Sequence, residues 1–149
     1  MEEVIVFGHK SPDTDTICSA IVMADLQTKL KGEKVIPCRL GEINEETKFA
    51  LKKFKAEEPK LIENVEQGQR VILVDHNEFS QSVEGIENAK IESVVDHHRI
   101  NNFETAEPLF YYAQPVGCTS TILFELYKSN NIEITAQMAG LMLSAIISD

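Results

Sequence analysis

The polar residues that could do chemistry in this chain follow three short apolar runs. All four histidines belong to this set, and aspartates accompany each of them. The set comprises His9, Asp13, Asp15, Asp75, His76, Asp96, His97 and His98. Carboxylates that converge on one place repel each other unless a cation lies between them. The combination therefore points to a metal site.

Taken singly, these motifs have simpler interpretations. The stretch SPDTD is typical of a Ser-Pro turn followed by an Asp or Thr helix cap. An aspartate after a strand, as in LVD, is common in turns. The adjacent pair His97 and His98 is harder to explain without a metal or a phosphate. We expect His76, beside Asp75, to be structural or to support a ligand from behind.

The composition of the set indicates which metal would bind. Carboxylates with one imidazole per ion suit Mn²⁺ or Co²⁺ better than metals that prefer thiolates. No cysteine lies in the set, which argues against structural zinc. The carboxylates of Asp13, Asp15, Asp75 and Asp149 would balance two divalent ions. Two such ions can activate a water for attack on phosphorus, which predicts hydrolysis of a phosphate ester or anhydride.

Strand and helix patterns alternate along the chain. Strands are predicted at Val4–Phe7, Val35–Leu40, 71–75 and 93–96, with an edge strand at 109–113. Helices are predicted at Thr16–Lys31, Asn44–Lys55, about 118–129 and about 134–149. In the second helix we expect Phe49, Leu51 and Phe54 to face inward.

This alternation indicates an α/β fold, a mainly parallel sheet with helices on both faces. Ligand sites of such sheets lie beyond the carboxyl ends of the strands, and the polar set begins there.

Bulk properties exclude several classes of function. A chain of 149 residues predicts one domain with its own core. No apolar run of about 18 residues occurs, and the N-terminus lacks signal-peptide features, so we expect no membrane and a cytoplasmic protein. The net charge of −10 disfavours nucleic acid as a partner. The cysteines at 18, 38 and 118 are expected to be buried free thiols.

Four stretches, GHKSPDTDTICSA, ILVDHNE, VVDHHRI and PVGCTSTI, together resemble a known family. They are similar to the N-terminal domain of family II, manganese-dependent inorganic pyrophosphatases, within the DHH phosphoesterase superfamily. The resemblance runs from Met1 to Asp149. It implies a hydrolase that splits pyrophosphate into two phosphates with two metal ions, manganese preferred and cobalt as an alternative, and magnesium accompanying the substrate. One departure is Ser11, where the family more often has Asn.

The resemblance also implies roles for single residues. His9 and Asp13 would hold the first ion, and Asp75 would bridge the two. The second ion would be held by Asp15, His97 and Asp149. His98 would face the substrate phosphates and assist the leaving group as an acid, and Asp96 would orient the histidines without touching a metal.

The family also has a second domain, which closes over the site and grips pyrophosphate with a Ser-Arg-Lys-Lys stretch. We expect that domain to lie beyond Asp149, so that residues 1–149 form the metal-binding domain alone. Lys10 and Arg99 are the cations beside the motifs. Losing one electrostatic contact to developing charge costs on the order of 10²–10³ in rate. We therefore expect this domain by itself to be weakly active or inactive.

Two other functions stay open from the sequence. The first is another DHH phosphoesterase, an exopolyphosphatase or a nuclease. Such nucleases usually have Gly after the second aspartate of the first motif, where this chain has Thr16. The second is a non-catalytic metal-binding and dimerisation module. The resemblance implies a homodimer formed through this domain, and an edge strand at 109–113 could join two sheets.

Overall fold

A computed structural model describes residues 3–148 of the chain. The strands are β1 (Val4–Phe7), β2 (Val35–Arg39), β3 (Lys60–Leu61), β4 (Arg70–Val74), β5 (Lys90–Asp96) and β6 (Phe110–Ala113). They form a six-stranded sheet in the order β3-β2-β1-β4-β5-β6, and every pairing is parallel. The helices are α1 (Thr14–Lys31), α2 (Glu45–Lys53), α3 (Thr119–Ser129) and α4 (Ala136–Ser148). The predicted α/β fold with a parallel sheet is confirmed.

Alternating side chains of the strands build two cores, one on each face of the sheet. Val4 and Val6 point into a core shared with all four of these helices. Ile5 and Phe7 point into a second core, which short 3₁₀ helices at Phe79–Gln81 and Ile86–Asn88 and the loop around Phe103 cover. Both faces of the sheet are therefore shielded from solvent, as continuous apolar runs in the strands require.

The helix α2 corrects one prediction. Phe49 is 69% exposed, so the expectation that it faces inward is wrong. Thr47, Ala50 and Leu51 are the buried positions of this helix. They form the i, i+3, i+4 stripe of an amphipathic helix, and Phe49 lies off that stripe. Phe54, just after the helix, does pack against the core.

Two further details refine the predicted elements. The helix α1 begins two residues earlier than predicted, because the Asp13 side chain caps it by accepting a hydrogen bond from the Thr16 backbone N–H at 2.9 Å. Strand β3, with only two residues, was not predicted. The three cysteines are buried, as expected. Within residues 3–148, no helix is long and apolar enough to cross a membrane.

The strand order positions the site. The chain proceeds from β1 outward through β2 and β3, then returns to the other side of β1 with β4 and continues outward through β5 and β6. Ligands of open parallel sheets bind in the crevice at such a reversal, outside the carboxyl ends of the strands. The reversal here lies between β1 and β4, the strands that precede His9 and Asp75.

Candidate metal centre

The carboxyl ends of β1, β4 and β5 bring His9, Asp75 and His97 together. The Nε2 atom of His9 lies 3.3 Å from Oδ2 of Asp75, and Nε2 of His97 lies 3.0 Å from Oδ1. One carboxylate thus faces two imidazoles, with one oxygen toward each. The structure thus brings these three candidate residues together at one edge of the sheet.

Backbone carbonyls fix which nitrogen of each imidazole faces the carboxylate. Nδ1 of His9 lies 2.6 Å from the Lys10 carbonyl oxygen, and Nδ1 of His97 lies 2.9 Å from the Val116 carbonyl oxygen. Since a carbonyl only accepts, each Nδ1 carries a proton. Each Nε2 is then directed at the site, in the orientation of a metal ligand whose other nitrogen is hydrogen-bonded.

Asp75 is buried and held from several sides. Its side chain is 2% exposed. Oδ2 accepts a 2.6 Å hydrogen bond from the Thr16 hydroxyl, and Oδ1 accepts one of 3.2 Å from the Thr119 hydroxyl. The residue has φ of 60°, in the left-handed region, which aspartate tolerates better than most residues. The chain therefore turns sharply at the end of β4, and the carboxylate is fixed at the crevice.

Asp15 reaches the same edge from the first turn of α1. Its Oδ2 lies 3.9 Å from Nε2 of His97 and accepts a 2.8 Å hydrogen bond from the Thr119 backbone N–H. Its Oδ1 accepts hydrogen bonds from the Ser19 hydroxyl and the Ser120 backbone N–H. The two N–H groups belong to the N-terminus of α3, which stabilises a carboxylate. Burial and the neighbouring Asp75 nevertheless raise the pKa of Asp15 to about 7.

Asp13 lies at the rim of the site. Its Oδ2 is 3.7 Å from Nε2 of His9, while its Oδ1 caps α1. The hydrogen bond to His9 lowers its pKa against the opposing effect of burial. The capping function and a metal-facing oxygen are therefore compatible in one side chain.

The imidazoles of His9 and His97 hold protons against these carboxylates. Burial lowers the pKa of His9, but hydrogen bonds to Asp13 and Asp75 outweigh it and raise that pKa to about 10. The hydrogen bond to Asp75 likewise raises the pKa of His97 to about 9. Burial raises the pKa of Asp75, and the two histidines more than reverse this and hold it well below the usual range. The imidazoles thus carry the positive charge that the carboxylates need.

These residues fit divalent metal ions. The potential ligand atoms form two groups, and within each group all of the atoms lie within 4.8 Å of one another. One group comes from His9, Asp13 and Asp75, and the other from Asp75, Asp96, His97 and His98. Asp75 belongs to both groups. Ligand atoms that are all carboxylate oxygen or imidazole nitrogen suit Mn²⁺ and similar ions.

Asp96 is a poor ligand despite this proximity, because its oxygens are already used. It is 0% exposed. Its Oδ1 accepts from the backbone N–H of His97 and from the backbone and Nδ1 of His98, and its Oδ2 accepts from Asn77. This arrangement supports the expectation that Asp96 orients the histidines.

His98 and His76 differ in surroundings. The side chain of His98 is 48% exposed and lines a cleft of about 340 Å³ together with His9, Asp75 and Arg99. His76 is 3% exposed, and its two nitrogens contact the Val74 carbonyl and the Ser82 hydroxyl, each at 2.9 Å. Burial lowers the pKa of His76 to about 4. His98 can therefore meet a ligand, whereas His76 is structural.

Three residues that the sequence motifs did not indicate also hold this site. Thr16 and Thr119 donate to Asp75, and Asn77 donates to Asp96. Asn77 follows the Asp-His pair after a buried strand, which was the available signal. The remaining predicted ligand, Asp149, lies outside the described residues.

Comparison with known proteins shows what the chain is similar to. Residues 3–146 match the model of the DHH family, N-terminal domain. The chain is 63% identical to a probable manganese-dependent inorganic pyrophosphatase of Oceanobacillus iheyensis and 59% identical to the manganese-dependent inorganic pyrophosphatase of Bacillus subtilis. In both cases the match covers 100% of this chain and 48% of the relative. The chain thus spans about half the length of these curated relatives.

Solved structures agree with the sequence comparison. A Methanococcus jannaschii protein described as a family II inorganic pyrophosphatase superposes with a TM-score of 0.88 at 47% identity, over 98% of this chain and 48% of that one. An exopolyphosphatase-related protein from Bacteroides fragilis superposes with a TM-score of 0.70 at 14% identity, over 99% of this chain and 46% of that one, which shows a shared fold alone. With nearly its whole described length matched, the chain belongs to the DHH family and comprises the N-terminal domain of that family.

Proposed function

We propose that this chain is the metal-binding half of a manganese-dependent inorganic pyrophosphatase. The observation that carries the proposal is the position of Asp75, whose two carboxylate oxygens lie 3.3 Å and 3.0 Å from Nε2 atoms of different histidines. A carboxylate between two ligand groups is suited to bridging two ions. The names of relatives at 63% and 59% identity supply the substrate, pyrophosphate, and the metal, manganese.

The ligands would divide between the two ions as follows. His9 and Asp13 would hold one ion, while Asp15, His97 and Asp149 would hold the other, with Asp75 common to both. Two divalent ions there, with magnesium on the substrate, would lower the pKa of a water and neutralise phosphate charge, which suits cleavage of a phosphoanhydride. Cobalt is the alternative to manganese, because the same oxygen and imidazole donors accept it.

His98 would contact the phosphates of the substrate in the cleft. Its Nδ1 donates to Asp96 at 2.7 Å, so its Nε2 is the atom available to the cleft. A proton on Nε2 would be placed for transfer to the leaving phosphate. The exposed guanidinium of Arg99 lines the same cleft and adds positive charge. We infer that few other cations serve the site from this half, so the domain alone is a weak catalyst or inactive.

The test is phosphate release from magnesium pyrophosphate with manganese added, together with manganese-dependent binding of imidodiphosphate, a non-hydrolysable analogue. We expect slow release that Asp75→Ala abolishes and His98→Gln reduces, and analogue binding that requires manganese. Tripolyphosphate and a nuclease substrate serve as comparison substrates. The proposal would be contradicted if the chain showed no phosphate release and no manganese-dependent binding of the analogue. Faster cleavage of a comparison substrate would also contradict it.

We further propose a cytoplasmic homodimer joined through this domain, with no nucleic-acid or membrane partner. Strand β6 is an edge of the sheet, and an edge strand presents backbone groups that a second sheet can pair. Phe110 on β6 is 48% exposed and stacks with Tyr112. The buried free thiols of Cys18 and Cys38 are in keeping with a reducing compartment.

Sedimentation equilibrium tests the dimer. We expect the wild-type chain to sediment as a dimer and Phe110→Lys to shift it toward monomer, because charges on an edge strand oppose pairing. The exposed Phe49 on α2 provides the control, and Phe49→Lys should leave the mass unchanged. A strict monomer at high wild-type concentration would contradict the dimer.

A further inference from the structure

Asn77 is a buried amide next to the candidate metal centre that no ligand assignment uses. It is 1% exposed and lies two residues after Asp75. Its Nδ2 donates to Oδ2 of Asp96 at 2.8 Å and to the carbonyl oxygen of Arg99 at 2.8 Å. Its Oδ1 accepts from the Asn101 backbone N–H at 3.0 Å. Both donors and the acceptor of this side chain therefore bond to the last residue of β5 and to the segment that follows it.

Residues 96–101 include two of the residues that line the cleft, His98 and Arg99. Asp96 receives the Asn77 amide on Oδ2, which leaves Oδ1 for the two histidines after it. Because a carboxylate only accepts, the 2.7 Å contact with Asp96 requires a proton on Nδ1 of His98. The orientation of the His98 ring thus depends on how firmly Asp96 is held.

The neighbouring Glu78 continues the same brace. Its Oε2 accepts a 3.2 Å hydrogen bond from the Asn101 side chain, and its Oε1 lies 3.6 Å from Nε of Arg99. Arg99 is therefore restrained at its carbonyl by Asn77 and at its side chain by Glu78. The loop after β4 and the loop after β5 are joined at these points.

We propose that Asn77 is the positioning residue that sets His98 and Arg99 toward the phosphates of a bound substrate. It acts through Asp96 on the His98 ring and through the backbone on Arg99, since its amide donors and its acceptor are all bonded to protein groups. An aspartate at position 77 would keep the shape but set a carboxylate against Asp96 and remove both donated hydrogen bonds. The inference rests on the proposed function for the identity of the substrate, whereas the geometry of His98 is independent of it.

The test reads the protonated nitrogen of His98 by long-range ¹H–¹⁵N correlation spectra of the ¹⁵N-labelled, metal-free chain at pH 8.5. His98→Gln identifies the signal by its loss. We expect a single Nδ1–H tautomer in the wild-type chain. Asn77→Ala and Asn77→Asp should lose that pattern and show both tautomers. Asn88→Asp, at an exposed asparagine on a 3₁₀ turn, is the matched control and should keep the wild-type pattern.

A purely structural amide would leave the His98 tautomer unchanged in the folded variants, and that result would overturn the proposal. If the variants do not fold, spectra of the wild-type chain test the proposal. The proposal requires slowly exchanging side-chain N–H protons on Asn77 and one His98 tautomer, and fast exchange or a mixture overturns it. An active chain with mixed tautomers would contradict this inference alone. An inactive chain with one His98 tautomer would count only against the proposed pyrophosphatase function.

Discussion

The Asp75 carboxylate directly faces His97, with Oδ1 of the aspartate 3.0 Å from Nε2 of the histidine. The two residues follow neighbouring parallel strands, so the contact is set by the register of β4 and β5. In the metal-free chain a proton on His97 holds this pair together, which is why the pKa of His97 rises to about 9. A metal ion bound to both atoms has to displace that proton. The site therefore couples metal binding to pH.

Manganese affinity should rise with pH from 5 to about 9. The pKa values of about 10 for His9 and about 9 for His97 mean that both imidazoles carry a proton at neutral pH and must lose it to bind metal. Each displaced proton strengthens binding by about tenfold per pH unit below the pKa. Titration calorimetry at several pH values, in buffers of different ionisation enthalpy, measures affinity and proton release together. Unchanged affinity between pH 7.5 and pH 5 would refute histidine ligands.

His76 should make the domain sensitive to acid. Its pKa falls from 6.5 in the unfolded chain to about 4 on burial, so the unfolded chain binds a proton that the folded chain resists. The contribution of the neutral His76 to the free energy of unfolding is fully present above pH 6.5. It is lost as the pH falls through 4, by about 3 kcal/mol in total. Urea unfolding of the metal-free wild type and His76→Asn at pH 7 and pH 4.5 measures this. The wild type should lose about 2–3 kcal/mol more than the variant between these pH values, and equal losses would contradict a neutral buried imidazole.

Gly8→Ala should weaken manganese binding without touching a ligand. A Cβ at Gly8 would lie 2.3 Å from Cγ2 of Thr16, whose hydroxyl donates to Asp75. Forcing the two apart costs about 1–3 kcal/mol and displaces the Asp75 partner, so affinity should fall by about tenfold or more.

Equilibrium dialysis measures the Gly8 effect. Gly117→Ala is the control, because a Cβ there meets nothing within 4 Å. Equal manganese affinities for the two variants would show that the approach of Thr16 to β1 does not matter for the site.

Ser11→Asn should stabilise the chain. Ser11 has φ of 50°, in the left-handed region, where asparagine is several-fold enriched over other non-glycine residues. Its side chain is exposed, so little else changes. We expect a gain of about 0.5 kcal/mol in the free energy of unfolding, measured by urea titration. Ser11→Val, a β-branched residue at the same φ, should instead lose stability, and a gain with valine would contradict the conformational explanation.

The fold was largely predictable because its strands are buried on both faces. Runs such as VIVF and VILV are apolar throughout and identify themselves in the sequence. Strand β3 could not be predicted from two exposed residues, since it depends on pairing with β2. Phe49 was misplaced because the apolar pattern of α2 is short and its inward stripe includes Thr47, which periodicity of apolar residues does not register.

The candidate site was predictable where one strand end supplied both a carboxylate and a histidine. His9, Asp75 and His97 follow three such strand ends, and parallel strands bring their carboxyl ends to one edge. The contacts of the supporting residues Thr16, Asn77 and Thr119 were not predictable, because they join segments that are separated in the chain. An amide or hydroxyl next to a strand has many alternative uses, and only the packed structure selects one.

Manganese stoichiometry combined with electron paramagnetic resonance of the bound ions tests most directly whether two ions share the Asp75 carboxylate. Two Mn²⁺ ions that share the Asp75 carboxylate couple magnetically, so the wild-type chain should bind two ions and give an exchange-coupled spectrum. Asp75→Asn should bind fewer ions and give the spectrum of isolated Mn²⁺, while Asp25→Asn, on α1 beside Lys29, should behave as the wild type. A single isolated ion in the wild type, or a coupled pair that survives in Asp75→Asn, would contradict the shared-carboxylate centre.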